Sequence, residues 1–267
     1  MIAESPTQLI LPFPLFAQAA TEIAAPTPTI EDDRLRLCIE NAGKDPATSL
    51  AQASAWVAES RGAGRSKPLE CLGQVYTVLG KWDAAEGAFA EAAQVTLTAD
   101  GGRRAALFAQ AGNAALAGGH AERALAQLDA ALGVPGREAE ARGQIELDRG
   151  RALVALERPG DASAAFAAAQ RDAPDEPLAW LLGATLARRR GDLAAAQRQI
   201  EVAGSLALKD PEVGLEAGVI AMLAGNETAA RKAWESAIAV APGSQAAQTA
   251  TGYLAQLPAA PARPEGR

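Results

Sequence analysis

Few side chains in this sequence could do chemistry. A single histidine, His120, stands between Gly119 and Ala121. General acid–base work needs a base within hydrogen-bond reach of the reacting proton and a third group to orient it, and no serine nucleophile stands near His120 in the sequence. No cluster of Cys, His and Asp has metal-ligand spacing. The segment Gly62-Ala63-Gly64-Arg65-Ser66-Lys67 has the composition of a phosphate loop but lacks the G-x-x-x-x-G-K spacing, and no strand precedes it, so it reads as a linker between helices. Cys38 and Cys71 are the only cysteines. These residues provide no catalytic set, no cofactor site and no metal site, so the chain reads as a non-enzyme and function must come from a surface.

The elements that would build such a surface are helices. Of 267 residues 49% are apolar but only 4% aromatic, so a core must be built from Ala, Leu, Val and Ile. Alanine is the best helix former, and the β-branched and aromatic enrichment of sheet proteins is missing. A net charge of −7 argues against a nucleic-acid partner, which calls for a basic face. No stretch reaches the ~20 continuous apolar residues of a membrane-spanning helix.

The ends differ from the middle. Pro6, Pro12, Pro14, Pro26 and Pro28 fall before Glu31, and an apolar stretch from Leu9 to Ala17 runs into Ala17-Gln18-Ala19, the small-x-small pattern of a signal-peptidase site. Against a signal segment, Glu4 sits where positive charge belongs and the first basic residue is Arg34. Export to the periplasm is the reading adopted, with a cytoplasmic location as the alternative. Pro258 to Arg267 reads as a disordered tail.

The middle is periodic. Ala92, Ala131, Ala169, Ala203 and Ala237 recur at intervals of 39, 38, 34 and 34 residues, each preceded seven residues earlier by Ala85, Ala124, Ala162, Ala196 or Ala230. Four residues after that earlier alanine stands a larger apolar residue: Phe89, Leu128, Phe166, Ile200 or Trp234. Spacings of i, i+4 and i+7 put all three on one helical face, a small-large-small stripe suited to a close helix crossing. Upstream comes a further small residue, Gly73, Gly112, Gly150, Ala184 or Gly218, and seven positions later a turn at Gly80, Gly119, Glu157, Gly191 or Gly225. The two longer intervals place extra residues near Thr96 to Gly102 and Val134 to Glu138, which read as lengthened loops because both contain Gly or Pro.

Taken together, these positions resemble the tetratricopeptide repeat (TPR), a helix-turn-helix unit of about 34 residues. The resemblance covers Ser66 to Pro242 and implies an all-α fold, a right-handed α-solenoid of stacked TPR-like units with a C-terminal capping helix. The implied organisation is a disordered leader or degenerate signal segment at 1–30, a solenoid at 31–257 and a tail at 258–267. Within the solenoid, 31–65 is a degenerate unit, 66–242 holds five units and 244–257 is the cap helix.

The resemblance also implies a partner surface. In this family the concave face is lined by first-helix residues that do not pack on the second helix. By register these are Leu147, Arg151, Leu178, Leu181, Thr185, Arg188, Arg189, Leu215, Val219 and Met222, an aliphatic floor with arginines at its side that suits a peptide with apolar anchors and acidic residues. The alternative is that several of these leucines pack between repeats and that Arg188 to Arg190 is a solvated helix end. The two-carboxylate clamp of the chaperone-tail binders is absent. Asn113 matches one clamp asparagine, but Ala109 replaces the lysine, and Gln144 and Asp148 replace the next basic pair.

Cys38 and Cys71, 33 residues apart, fall on first helices of adjacent units, and the arrangement is similar to that of exported bacterial TPR proteins. Either a disulfide staples the first unit to the array or two buried thiols act as small apolar residues. The expected function is a non-enzymatic scaffold or adaptor with a protein or peptide partner. A structural solenoid that self-associates into a homo-oligomer through Trp180 or Trp234 is the alternative.

Overall fold

Helices form where the alanine pattern places them, and the first helices of units two, three, five and six are each followed two residues on by a left-handed glycine. The computed structural model describes residues 28–258, which form thirteen α-helices and no strand. The apolar stretch at 9–17, the small-x-small pattern that follows it and the tail from 259 lie outside the described residues.

The helices come in antiparallel pairs. The first unit is α1 (Ile30–Ala42) with α2 (Pro46–Glu59), and a single 3₁₀ turn (Gly62–Arg65) leads on from it. Unit two is α3 (Ser66–Val78) with α4 (Trp82–Val95), and unit three α5 (Gly101–Ala117) with α6 (Ala121–Gly133). Units four to six are α7 (Ala139–Ala155) with α8 (Pro159–Asp172), α9 (Pro177–Arg189) with α10 (Leu193–Leu206), and α11 (Pro211–Leu223) with α12 (Glu227–Val240). The cap, α13 (Gln245–Leu254), closes the stack. Its entry is fixed by Ser244, whose hydroxyl accepts from the Ala247 amide.

The turn inside each of units two to six uses a left-handed residue to close the first helix. Gly80, Gly119, Gly191 and Gly225 hold φ between 66° and 82°, and unit four does the same with a glutamate, Glu157 at φ 57°. A side chain in that region is strained, whereas glycine is not.

Packing follows the small-large-small stripe. Ala85, Ala92, Ala124, Ala131, Ala162, Ala169, Ala196 and Ala203 are completely buried, so second helices cross their neighbours at contact distance. The large residue of each stripe lies over the small residue of its own first helix. A Cβ built on Gly73 would meet the Phe89 ring at 2.6 Å, and one on Gly112 would meet Leu128 at 2.7 Å. Gly150 faces Phe166 and Gly218 faces Trp234 in the same way. Unit five has alanine here, Ala184, and its opposite residue is the slimmer Ile200.

The two long intervals resolve differently from the loop expectation. Connections 96–100 and 134–138 are only one residue longer than 173–176 and 207–210, and the remaining residues lengthen α5 and α7 to 17 residues against 13 in α3, α9 and α11. Gly101 and Gly102 are the first two residues of α5, entered from Asp100, whose carboxylate accepts from the Arg103 amide. At the first turn of a capped helix, glycine does not have to break the helix.

At the N-terminal end α1 and α2 pack on α3 around Leu35, Ala53, Trp56 and Cys71. Cys38 of α1 and Cys71 of α3 are joined as a disulfide with Cα atoms 6.0 Å apart, inside the range that an unstrained bridge requires. Arg34 lies over the Trp56 ring at 4.4 Å, and Lys67 pairs with Asp32 at 2.6 Å. Tight hydrogen bonding by Lys67 and Thr29 holds the Asp32 carboxyl well below the usual carboxylate range.

Candidate partner-binding face

The first helices α3, α5, α7, α9 and α11 form one continuous face, and polar side chains bridge nearly every neighbouring pair along it. Gln74 of α3 donates to Gln110 of α5 at 3.3 Å. Asn113 of α5 donates to Asp148 of α7 at 2.7 Å, and the other oxygen of Asp148 accepts from Arg151 at 2.9 Å. Arg188 of α9 grips Glu216 of α11 through two hydrogen bonds of 2.6 and 3.1 Å. Between α7 and α9 the bridge, Gln144 to Glu176 at 2.9 Å, lies at the N-terminal end of both helices. The middle of that junction carries no bridge among the described residues and opens into a cavity of about 240 Å³.

Arg151 and Val154 of α7, Leu182, Thr185, Leu186 and Arg189 of α9, and Phe166 from α8 line the cavity. Phe166 also walls a second cavity of about 280 Å³ toward α10, where Gln170 donates to the Ala179 carbonyl and to Gln199. Those amides already hold each other.

The structure sorts the residues expected on this face into three groups. Leu147 and Leu181 are only 4% and 8% exposed and belong to the cores between units, a correction to their assignment as groove residues. The units stack too closely to leave them free. Leu215 and Val219 are half-buried and pack beneath α13. Arg188 is also corrected, because its guanidinium is committed to Glu216. Arg151, Thr185 and Arg189 do come together, around the cavity. Leu178 of α9 and Met222 of α11 stay 40% exposed and do not line it.

Register transfer missed Val154, Leu182, Leu186 and Phe166. Leu182 lies one helical turn from Leu178 and Val154 nearly one turn from Arg151, so the stripe was visible, but its opening depended on how α7 and α9 diverge. The polar bridges were missed as well. Asn113, the one match to a clamp asparagine, holds the chain's own Asp148.

The groups weighed for chemistry have ordinary duties. His120 precedes α6 and contacts Asp83 at 3.2 Å, beside the Arg123–Asp83 pair. Buried charges serve the junctions between units. Asp172 has a 5% exposed side chain and is held at about 2 by hydrogen bonds from Arg142 and then Arg171. Burial raises the Glu70 and Glu146 carboxyls, opposed by Arg103 and Arg149. No group of three or more His, Cys, Asp and Glu that could hold a metal occurs among the described residues, and no described helix is long and apolar enough to cross a membrane.

A scan against protein-family models finds none that matches, and a search of curated proteins finds no match. Solved structures do match. PilW, a widely conserved type IV pilus biogenesis factor, is 19% identical with a TM-score of 0.69, over 84% of this chain and 100% of its own. PilF of Pseudomonas aeruginosa is 14% identical with a TM-score of 0.66, over 84% and 97%. YrrB, a TPR protein with an unusual peptide-binding site, is 18% identical with a TM-score of 0.55, over 75% and 97%. This is the tetratricopeptide-repeat fold. At these identities the likeness establishes architecture, and the face that this TPR solenoid offers has to be argued from its own residues.

Trp180 and Trp234, considered as self-association edges, are occupied within the TPR array. Trp234 is 3% exposed, its ring centroid 5.1 Å from that of Tyr253 in the cap and its indole N–H donating to the Leu215 carbonyl. Trp180 is half-buried, with its indole N–H donating to the Pro174 carbonyl.

Proposed function

We propose that this chain is a non-enzymatic interaction module that takes a peptide or protein segment along the first-helix face of units four to six. One contrast carries the reading. Side-chain hydrogen bonds cross that face between units two and three, three and four, and five and six, whereas the middle of the junction between units four and five carries none among the described residues and opens into a largely apolar cavity. A concavity lined mainly by apolar side chains with a few polar groups at its edge is the default candidate for a binding site. Export is proposed with it, supported by the small-x-small pattern after the leader and by the Cys38–Cys71 bridge, a bond that persists in oxidising compartments.

A photo-crosslinking amino acid placed at Thr185 or Met222, and at Gln197 on the exposed side of α10 as a control, tests the surface in the native host. Adducts from the first two positions and not the third are expected. Equal adducts from all three would overturn the assignment, and an adduct of twice the chain's mass would indicate self-association instead. N-terminal sequencing with thiol titration tests export; an intact leader with two free thiols would refute it.

A further inference from the structure

We infer that the cavity between α7 and α9 is an anchor pocket for a peptide that inserts one large apolar side chain and sets a carboxylate beside it on Arg189. The inference rests on the first-helix face being the binding surface and specifies what that surface selects. Size comes first. About 240 Å³ is below the roughly 300–1,000 Å³ of small-molecule sites, so the opening holds a single side chain and not a cofactor. Its walls, Val154, Phe166, Leu182 and Leu186, make no hydrogen bonds through their side chains, and the Thr185 hydroxyl already donates to the Leu181 carbonyl at 3.0 Å. Away from the arginines at its edge the cavity offers an inserted polar group only the Thr185 oxygen as a partner, whereas an apolar group loses no hydrogen bond on entering.

The charge at the mouth follows from counting the groups that face it. Arg151 is paired with Asp148, whose second oxygen accepts from Asn113. Arg188, next in sequence to Arg189, is paired with Glu216. Arg189 is exposed and has no acidic partner among the described residues. The rim therefore carries one uncompensated guanidinium on a chain whose net charge is −7. A planar fork of donors beside an apolar hole matches a carboxylate one or two residues from an apolar side chain. A basic peptide would gain no pair there and would meet Arg189 as a like charge.

The test uses the full chain and a random 12-residue peptide library displayed on phage. Enriched sequences are expected to carry Leu, Met or Phe within two positions of Asp or Glu. A synthetic representative, measured by fluorescence anisotropy, should bind the Arg189→Glu variant more than tenfold more weakly. Changing the peptide's acid to its amide should weaken wild-type binding by a similar factor but strengthen binding to Arg189→Glu, where it removes a like-charge contact. Thr185→Phe, which fills the cavity, should abolish binding while its helical circular dichroism and melting temperature stay near wild type. Peptides that lack an acid, or that bind Arg189→Glu as well as wild type while losing affinity for Met222→Glu, would overturn the pocket and keep the face. Binding indifferent to all three variants, or no enrichment, would overturn both.

Discussion

Exchanging Gly73 for alanine should lower stability, although alanine is the better helix former. A Cβ at this position would lie 2.6, 2.7 and 2.9 Å from three carbons of the Phe89 ring, and Phe89 is only 2% exposed within the core. To reach ordinary carbon–carbon contact the ring must retreat by roughly 1 Å. Overpacking of this kind costs about 1–3 kcal/mol, while the helix preference for alanine over glycine returns about 1 kcal/mol. The net loss is about 1 kcal/mol. Gly87 supplies the control, because it lies exposed in the middle of α4 with nothing within 4 Å of a built Cβ. There Gly87→Ala should gain the full ~1 kcal/mol. For a chain of this size each kcal/mol moves the melting temperature by about 2–4 °C, so thermal denaturation followed by circular dichroism should show the two variants moving in opposite directions. Adding Phe89→Ile, which copies the Ala184 and Ile200 pairing of unit five, should remove most of the Gly73→Ala penalty and give a coupling of about 1 kcal/mol. If Gly73→Ala raised the melting temperature as much as Gly87→Ala does, the account of why glycine stands opposite the aromatic residues would be wrong.

Glu157→Gly should stabilise the chain by about 1 kcal/mol, because the left-handed residue closing α7 would no longer carry a Cβ; an unchanged or lower denaturation midpoint would contradict this. The Cys38–Cys71 bridge closes a 33-residue loop, so replacing both with serine should cost about 3–4 kcal/mol, concentrated in the first unit. Limited trypsin digestion should then cut at Arg61 first, and equal protection with and without the bridge would count against its role as a staple. The folded state holds the Asp172 carboxyl at about 2, below its ordinary 3.8, so its contribution is complete above about pH 4 and disappears as the pH falls through 2. It amounts to roughly 2 kcal/mol at most, since Arg142 is partly in water. Asp172→Asn should flatten that part of the acid-denaturation curve, and a curve of unchanged slope would remove Asp172 from the account.

Much of the architecture was legible because close helix packing forces identity at a few positions. Where two helices touch, only a small residue fits, and the large residue opposite must match it, so Gly73 with Phe89 and Ala184 with Ile200 record their contacts in residue type. The turns were legible for a related reason, since a left-handed residue is nearly always glycine, and Glu157 was found only because its place in the period was known. Where the pattern had gaps, the reading erred. Gly101 and Gly102 suggested a loop, and α5 begins at them.

The sequence by itself determined the repeat, the helix pairs and the crossings, all set by local conformation or by contacts between fixed neighbours. The tertiary structure decided which side chains are free. Leu147 and Leu178 are both first-helix leucines on the expected groove, and nothing local separates the one that is buried from the one that is exposed. Arg188 and Arg189 are adjacent and identical in kind, yet only Arg188 meets a carboxylate, contributed by a helix 28 residues away. Burial and ion pairing depend on how neighbouring units diverge in space, which is a property of the whole stack and is not recorded in any one of its units.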